Sequence, residues 1–230
     1  MTDNKQHQPK VDLARFAEIL QQRRRGTARF SIDDRHYAAS VPEMLKLCYQ
    51  QEVEQRGYSF KDDTATNEHI QMAAKWLVGE KREFGLFIYG EPGNGKTTLT
   101  RAIRKLIVLL YANEPHYENR KGVVSISALD LATIAKEEQN HRIRQLKEAE
   151  LLHIDDVGTE PASVKVWGNE VSPLVEVIYS RYDAMLYTVI TSNLSDEDIM
   201  PRYGNRIYDR FREMFAFLPF ENKSYRIPRK

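Results

Sequence analysis

The chain has 230 residues, of which 41% are hydrophobic, enough for one packed α/β domain and an appendage. Its 34 lysines and arginines against 33 aspartates and glutamates leave a net charge of +1, so any basic surface has to be local. A lone cysteine, Cys48, excludes a disulfide framework or a cysteine-rich zinc site within the chain. The polar start MTDNKQHQPK has no apolar signal core, and no apolar run approaches the roughly 18 residues of a membrane span. These features predict a cytoplasmic protein without a membrane partner.

Residues 1–10 read as disordered. From Val11 to Arg25, Leu13, Phe16, Ile19 and Leu20 are spaced for one helical face, and three arginines close that helix before Gly26. Residues 26–41 read as a linker. Pro42 opens a second helix with Met44, Leu45, Leu47 and Cys48 as its apolar positions and Gly57 as its stop. A third helix is expected from about Asn67 to Val78. The division falls at residue 58: a helical appendage and linker over 1–58 and a larger domain over 59–230. The apolar stripe of the first helix has two readings, docking onto a partner or packing on the second helix.

From Phe84 the pattern becomes strand and helix in turn. The runs FGLFIY, VVSISA (123–128), LLHIDD (151–156), MLYTVITSN (185–193) and FAFLPF (215–220) predict five strands. Helices are expected to about Ala112, over 129–147, over 168–183 and around 202–213. Apolar strand runs with intervening helices imply an α/β fold: a parallel five-stranded sheet with helices on both faces.

Between the first strand and its helix stands GEPGNGKTT: Gly90, Glu91, Pro92, Gly93, Asn94, Gly95, Lys96, Thr97 and Thr98. This is a P-loop, whose backbone amides cradle phosphate while Lys96 reaches the β- and γ-phosphates and Thr97 ligates Mg²⁺. LLHIDD ends a buried strand on Asp155, the expected Mg²⁺ ligand, and Asp156, placed to orient or deprotonate the attacking water. An isolated Asp-Asp would instead read as a solvated turn. Asn193 ends the fourth strand with an amide able to hold that water, or else to cap the following helix. In YGNRIYDRFREMF, Arg206 and Arg210 share a face opposite Ile207 and Phe211; the plain reading is a solvated helix.

With these residues in view, the sequence resembles AAA+ ATPases, and among them replicative helicase loaders of the DnaC/DnaI type. The resemblance spans about residues 60–228 and rests on GEPGNGKTT, LLHIDDVGTE, VITSNL, GNRIYDRF and SYR. The transposition helper IstB is a close relative with the same order of motifs. The resemblance implies that Asn193 is the sensor I residue, Arg210 an arginine finger acting on a neighbouring subunit, and Arg226 a sensor II-like contact to nucleotide. Arg206 falls on another family arginine position. It further implies ATP and Mg²⁺ as ligands, a homo-oligomer in the ATP state, and a hexameric replicative helicase (or a transposase) as client on single-stranded DNA. Arg101, Arg104 and Lys105, or Arg142, Arg144 and Lys147, are the candidate DNA contacts, against the reading of solvated faces. Adenine contacts are expected within residues 58–67. The sequence departs from the usual Asp-Glu ending with Asp155-Asp156, and no stretch is left for a full helical lid.

Overall fold

A computed structural model describes residues 12–15, 17–18, 30–32, 40–111 and 122–226. Phe16, Ile19 and Leu20, on the expected N-terminal stripe, lie outside the described residues; Leu13 is helical and 76% exposed. Two helices precede the sheet, α1 (Val41–Glu54) and α2 (Thr64–Leu77). Asp63 caps α2, its carboxylate accepting the Thr66 amide, which explains why the helix starts before Asn67. The first strand, β1 (Gly85–Gly90), leads through the P-loop into α3 (Lys96–Tyr111).

After β2 (Val124–Ser127) the helix expected over 129–147 is two helices, α4 (Ala128–Lys136) and α5 (Asn140–Glu148). The break has a local cause. Glu138 adopts a left-handed φ of 56°, and the Gln139 amide turns back to the Ile134 carbonyl, a chain reversal that closes α4. β3 (Leu151–Val157) follows, and then a short hairpin of β4 (Val164–Val166) and β5 (Asn169–Val171), where the sequence predicts the start of a helix. Trp167 and Gly168 form its two-residue turn, both with positive φ as a right-twisted hairpin demands. α6 (Pro173–Asp183) begins only beyond it, with Pro173 in its first turn. Past β6 (Tyr187–Ser192), the helix expected around 202–213 is again two, α7 (Asp196–Tyr203) and α8 (Asn205–Met214), parted at Gly204 with φ 92°. β7 (Phe215–Phe220) coincides with FAFLPF.

The five main strands form one parallel sheet in the order β2-β3-β6-β1-β7. Alternate residues feed opposite cores. Leu86 and Ile88 of β1 join the cluster under α1, α2 and α3, whereas Phe87 joins the cluster under α4, α6 and α8. The central strands are buried on both faces, so their sequence reads as an unbroken apolar run.

Helix α1 is part of this core. Val41, Leu45, Cys48 and Tyr49 pack in one cluster with Leu99, Ile103, Leu106 and Ile107 of α3. Lys105 of α3 pairs with Glu52 of α1 at 2.5 Å and also donates to Gln55 at 3.3 Å. The packing is therefore continuous across residue 58, where the sequence suggested a division. No helix among the described residues is long and apolar enough to cross a membrane.

A test follows from Leu45, which is 0% exposed. Leu45→Ala is expected to cost about 2–5 kcal/mol and to lower the single urea transition of the whole domain. A separate early transition, with the main one unmoved, would show α1 to be an independent unit.

Candidate nucleotide site

Three adjacent strands, β3, β6 and β1, end at the same edge of the sheet, and the loop Gly90–Gly95 crosses that edge. The loop is shaped by close approaches. A Cβ on Gly90 would collide with the Phe220 carbonyl at the end of β7, and one on Gly95 would collide with the Tyr49 hydroxyl of α1. Both glycines also hold positive φ, 141° and 107°. Buried Asn94 ties the loop to β7 by donating to the Phe220 carbonyl at 2.8 Å.

Lys96 is 5% exposed, and its ammonium has a full set of acceptors. It donates to the carbonyls of Gly90 (2.6 Å) and Glu91 (2.9 Å), to Asn94 Oδ1 (3.3 Å) and to Asn193 Oδ1 (2.9 Å). Burial lowers its pKa, opposed by the negative charges of Asp156, Glu91 and Asp155. Beside it, the Thr97 hydroxyl donates to Asp155 Oδ1 at 3.1 Å. The loop lysine, the loop threonine, both aspartates and Asn193 thus converge, as their motifs suggest.

The two aspartates reach this place through an irregularity of β3. Its register against β6 shifts between Ile154 and Val157, so that the Asp155-Asp156 pair forms a bulge. Asp156 takes a left-handed φ of 56°. Thr191 holds the bulge from β6: its hydroxyl donates to Asp155 Oδ1 and accepts the Asp156 amide at 2.9 Å. Sequence reasoning passed over Thr191, although a threonine directly after the apolar pair Val189-Ile190, two residues before Asn193, is the signal that could have found it.

The outer side of the loop meets segments from both ends of the chain. The Tyr225 amide donates to the Gly93 carbonyl at 2.9 Å, and Asn222 Nδ2 donates to the Asn94 carbonyl at 3.1 Å. The Tyr225 hydroxyl meets the Asp63 carboxylate at 2.9 Å and Thr66 Oγ1 at 2.9 Å. Arg226 lies against Gly93, its Cγ and Cδ 3.1 Å from where a Cβ there would be. Its charge acts on both Lys96 and Asp156. Residues 58–67, the stretch expected to hold adenine contacts, contribute Asp63 and Thr66 to this wall.

Arg210 is placed elsewhere. Its guanidinium lies over the rings of Tyr179 (4.7 Å) and Tyr182 (5.4 Å) on α6, and donates to the Arg206 carbonyl. Arg206 is exposed. Arg202 donates to the Glu160 carbonyl and supports the turn that follows β3. Of the basic clusters, Lys105 and Lys147 are engaged with Glu52 and Glu176, which leaves Arg101, Arg104, Arg142 and Arg144 exposed.

A parallel sheet of this order, with the glycine-rich loop leaving β1 at the carboxyl edge of the strands, is an open α/β fold of the P-loop type. In fold the chain is similar to the DnaC helicase loader, at a TM-score of 0.54 and 21% identity over 70% of this chain and 93% of that one. It is likewise similar to DnaI (0.51, 20% identity, covering 70% of this chain and 87% of that one). The AMPPCP-bound DnaA of Aquifex aeolicus gives 0.50 at 20% identity, over 72% of this chain and 50% of that one. No family model matches the sequence, and no curated protein matches it.

The paired carboxylates generate a prediction. Burial and the charge of Asp155 raise the Asp156 pKa above its ordinary 3.8, with Lys96 and Arg226 opposing. The unfolded chain then loses this proton first, so the fold is penalised as pH rises from 3.8 through the folded value. Asp156→Asn keeps a residue that tolerates left-handed φ and removes the charge. The variant is expected to be more stable than wild type at pH 7, by a margin that shrinks below about pH 4, in urea titrations. A margin independent of pH would show that the two aspartates do not repel.

Proposed function

We propose that this chain is an ATPase that loads a DnaB-like replicative helicase onto single-stranded DNA. The observation that carries the reading is the meeting of Lys96, Asn193, Thr97 and Asp155 at one strand edge, through contacts of 2.9 and 3.1 Å. Phosphate would lie along the loop amides and the first turn of α3, where the helix dipole favours an anion. Thr97 and Asp155 present oxygen donors together and suit Mg²⁺, which characteristically binds through few carboxylates plus substrate phosphate. The ion, when bound, would neutralise charge developing on the β- and γ-phosphates.

The remaining roles fall to the chain's own groups. Asp156 would orient or deprotonate the attacking water, and its raised pKa brings it nearer to a working base. Asn193, already beside Lys96, would hold the water and the γ-phosphate in register. Arg226, lying against the loop, would touch nucleotide in the same subunit. Arg210, resting on α6 away from its own P-loop, is available to a neighbour's site, as a homo-oligomer with a trans finger requires. Arg101, Arg104, Arg142 and Arg144 are the exposed cations left for DNA. The fold shared with DnaC and DnaI favours a helicase as client over a transposase.

Lys96→Ala is expected to lose ATP binding by at least about tenfold, while Asp156→Asn keeps binding and loses turnover although it gains stability. Undiminished turnover in Asp156→Asn would remove Asp156 from the chemistry. Mixing Lys96→Ala with Arg210→Ala subunits is expected to restore part of the ATPase rate, since each mixed interface can pair an intact loop with an intact finger. No recovery at any ratio would argue against a trans finger. The client is tested with the full chain by co-sedimentation with a DnaB-type hexamer in ATP; retention of a transposase in its place would move the reading to the IstB type.

A further inference from the structure

Arg56, just past the end of α1, reaches the first turn of the P-loop helix. Its Nη1 donates to Thr98 Oγ1 at 3.2 Å, one residue beyond the Thr97 hydroxyl that meets Asp155. Thr98 is buried and Arg56 is exposed, so the guanidinium covers the first turn of α3 from the solvent side. A second cation, Arg101, stands close enough to repel it; desolvation and that repulsion both weaken its hold on its proton. Glu52 is near but is committed to Lys105 at 2.5 Å, and Asp155 is committed to Thr97 and Thr191. Among the described residues Arg56 forms no ion pair. The fold therefore holds two arginines together at the N-terminal end of a helix, with no carboxylate dedicated to either.

We propose that Arg56 is a phosphate-binding residue of the nucleotide site, supplied by the turn that ends α1. The proposal rests on the nucleotide reading above and adds a consequence. A planar guanidinium can donate to Thr98 and to a phosphate oxygen at once, so bound nucleotide would fasten the end of α1 to the P-loop. The end of α1 would then tighten when nucleotide binds.

The test uses the full chain, titrated with ATP and with ADP in the presence of Mg²⁺. Arg56→Ala is expected to weaken both about tenfold, and Arg56→Lys to recover part of the loss. Amide exchange over 41–57 is expected to slow on adding ADP in wild type and not in Arg56→Ala. Wild type that fails to bind either nucleotide overturns the nucleotide reading and this inference with it. Wild type that binds, with Arg56→Ala binding equally well, overturns this inference alone. So does an Arg56→Ala variant that keeps its nucleotide affinity and loses affinity for a single-stranded oligonucleotide, which would make Arg56 a DNA contact. A loss of affinity that Arg56→Lys does not relieve, with a matching fall in the unfolding midpoint of the nucleotide-free protein, also overturns it.

Discussion

The ammonium of Lys96 is a nearly buried charge, and the loop around it is arranged to make that tolerable. A cation taken out of water is costly unless each of its donors finds an acceptor. Here the acceptors are two carbonyls of the loop itself, Gly90 and Glu91, together with the side-chain oxygens of Asn94 and Asn193. The two loop carbonyls that turn to the lysine also fix the curl of the loop around it. The same contacts bring in β6 through Asn193, while the charges of Asp155 and Asp156 on β3 hold the proton on the amine. One cation thus links three strand ends, which the order β3-β6-β1 sets side by side. Ligand sites in open parallel sheets form at this carboxyl edge because the loops diverge there.

Asp156 shows how the chain departs from regular structure to serve that edge. In an unbroken strand, neighbouring side chains point to opposite faces of the sheet, so two consecutive aspartates could not both serve one site. The bulge and the left-handed backbone at Asp156 remove that restriction. Such a conformation costs a non-glycine residue about 1 kcal/mol, and the Thr191 hydroxyl offsets part of it by taking the displaced amide. Strain, a raised carboxyl pKa and a supporting hydroxyl coincide on one residue.

Much of this was legible in the sequence because it is local. The five strands are short apolar runs, and the P-loop needs only its own glycines, lysine and threonine in the right order. Asp155 and Asn193 could be placed because each ends such a run. The break at Glu138 was not legible, since a glutamate in left-handed conformation carries no composition signal. Nor was the β4–β5 hairpin, where tryptophan occupies a turn position that usually holds asparagine or glycine. Tyr49 and Arg56 escaped for a different reason. Each lies far along the chain from the loop or helix turn it meets, and one sequence gives no measure of long-range proximity.

Those distant residues decide how the site connects to the rest of the molecule. The loop is pressed by Tyr49 from α1 and tied to the segment after β7 through Tyr225 and Asn222. Tyr225 is in turn bound to Asp63, the residue that caps α2. His69 of α2 stacks on Phe220 at 3.7 Å, closing the circuit from α2 back to β7. The P-loop therefore cannot change shape without moving groups on α1, on α2 and on the last strand together. A rigid core of apolar contacts transmits such displacements rather than absorbing them. The elements before and after the nucleotide loop are thus mechanically joined to it, which is the coupling a protein needs if nucleotide is to govern its grip on another molecule.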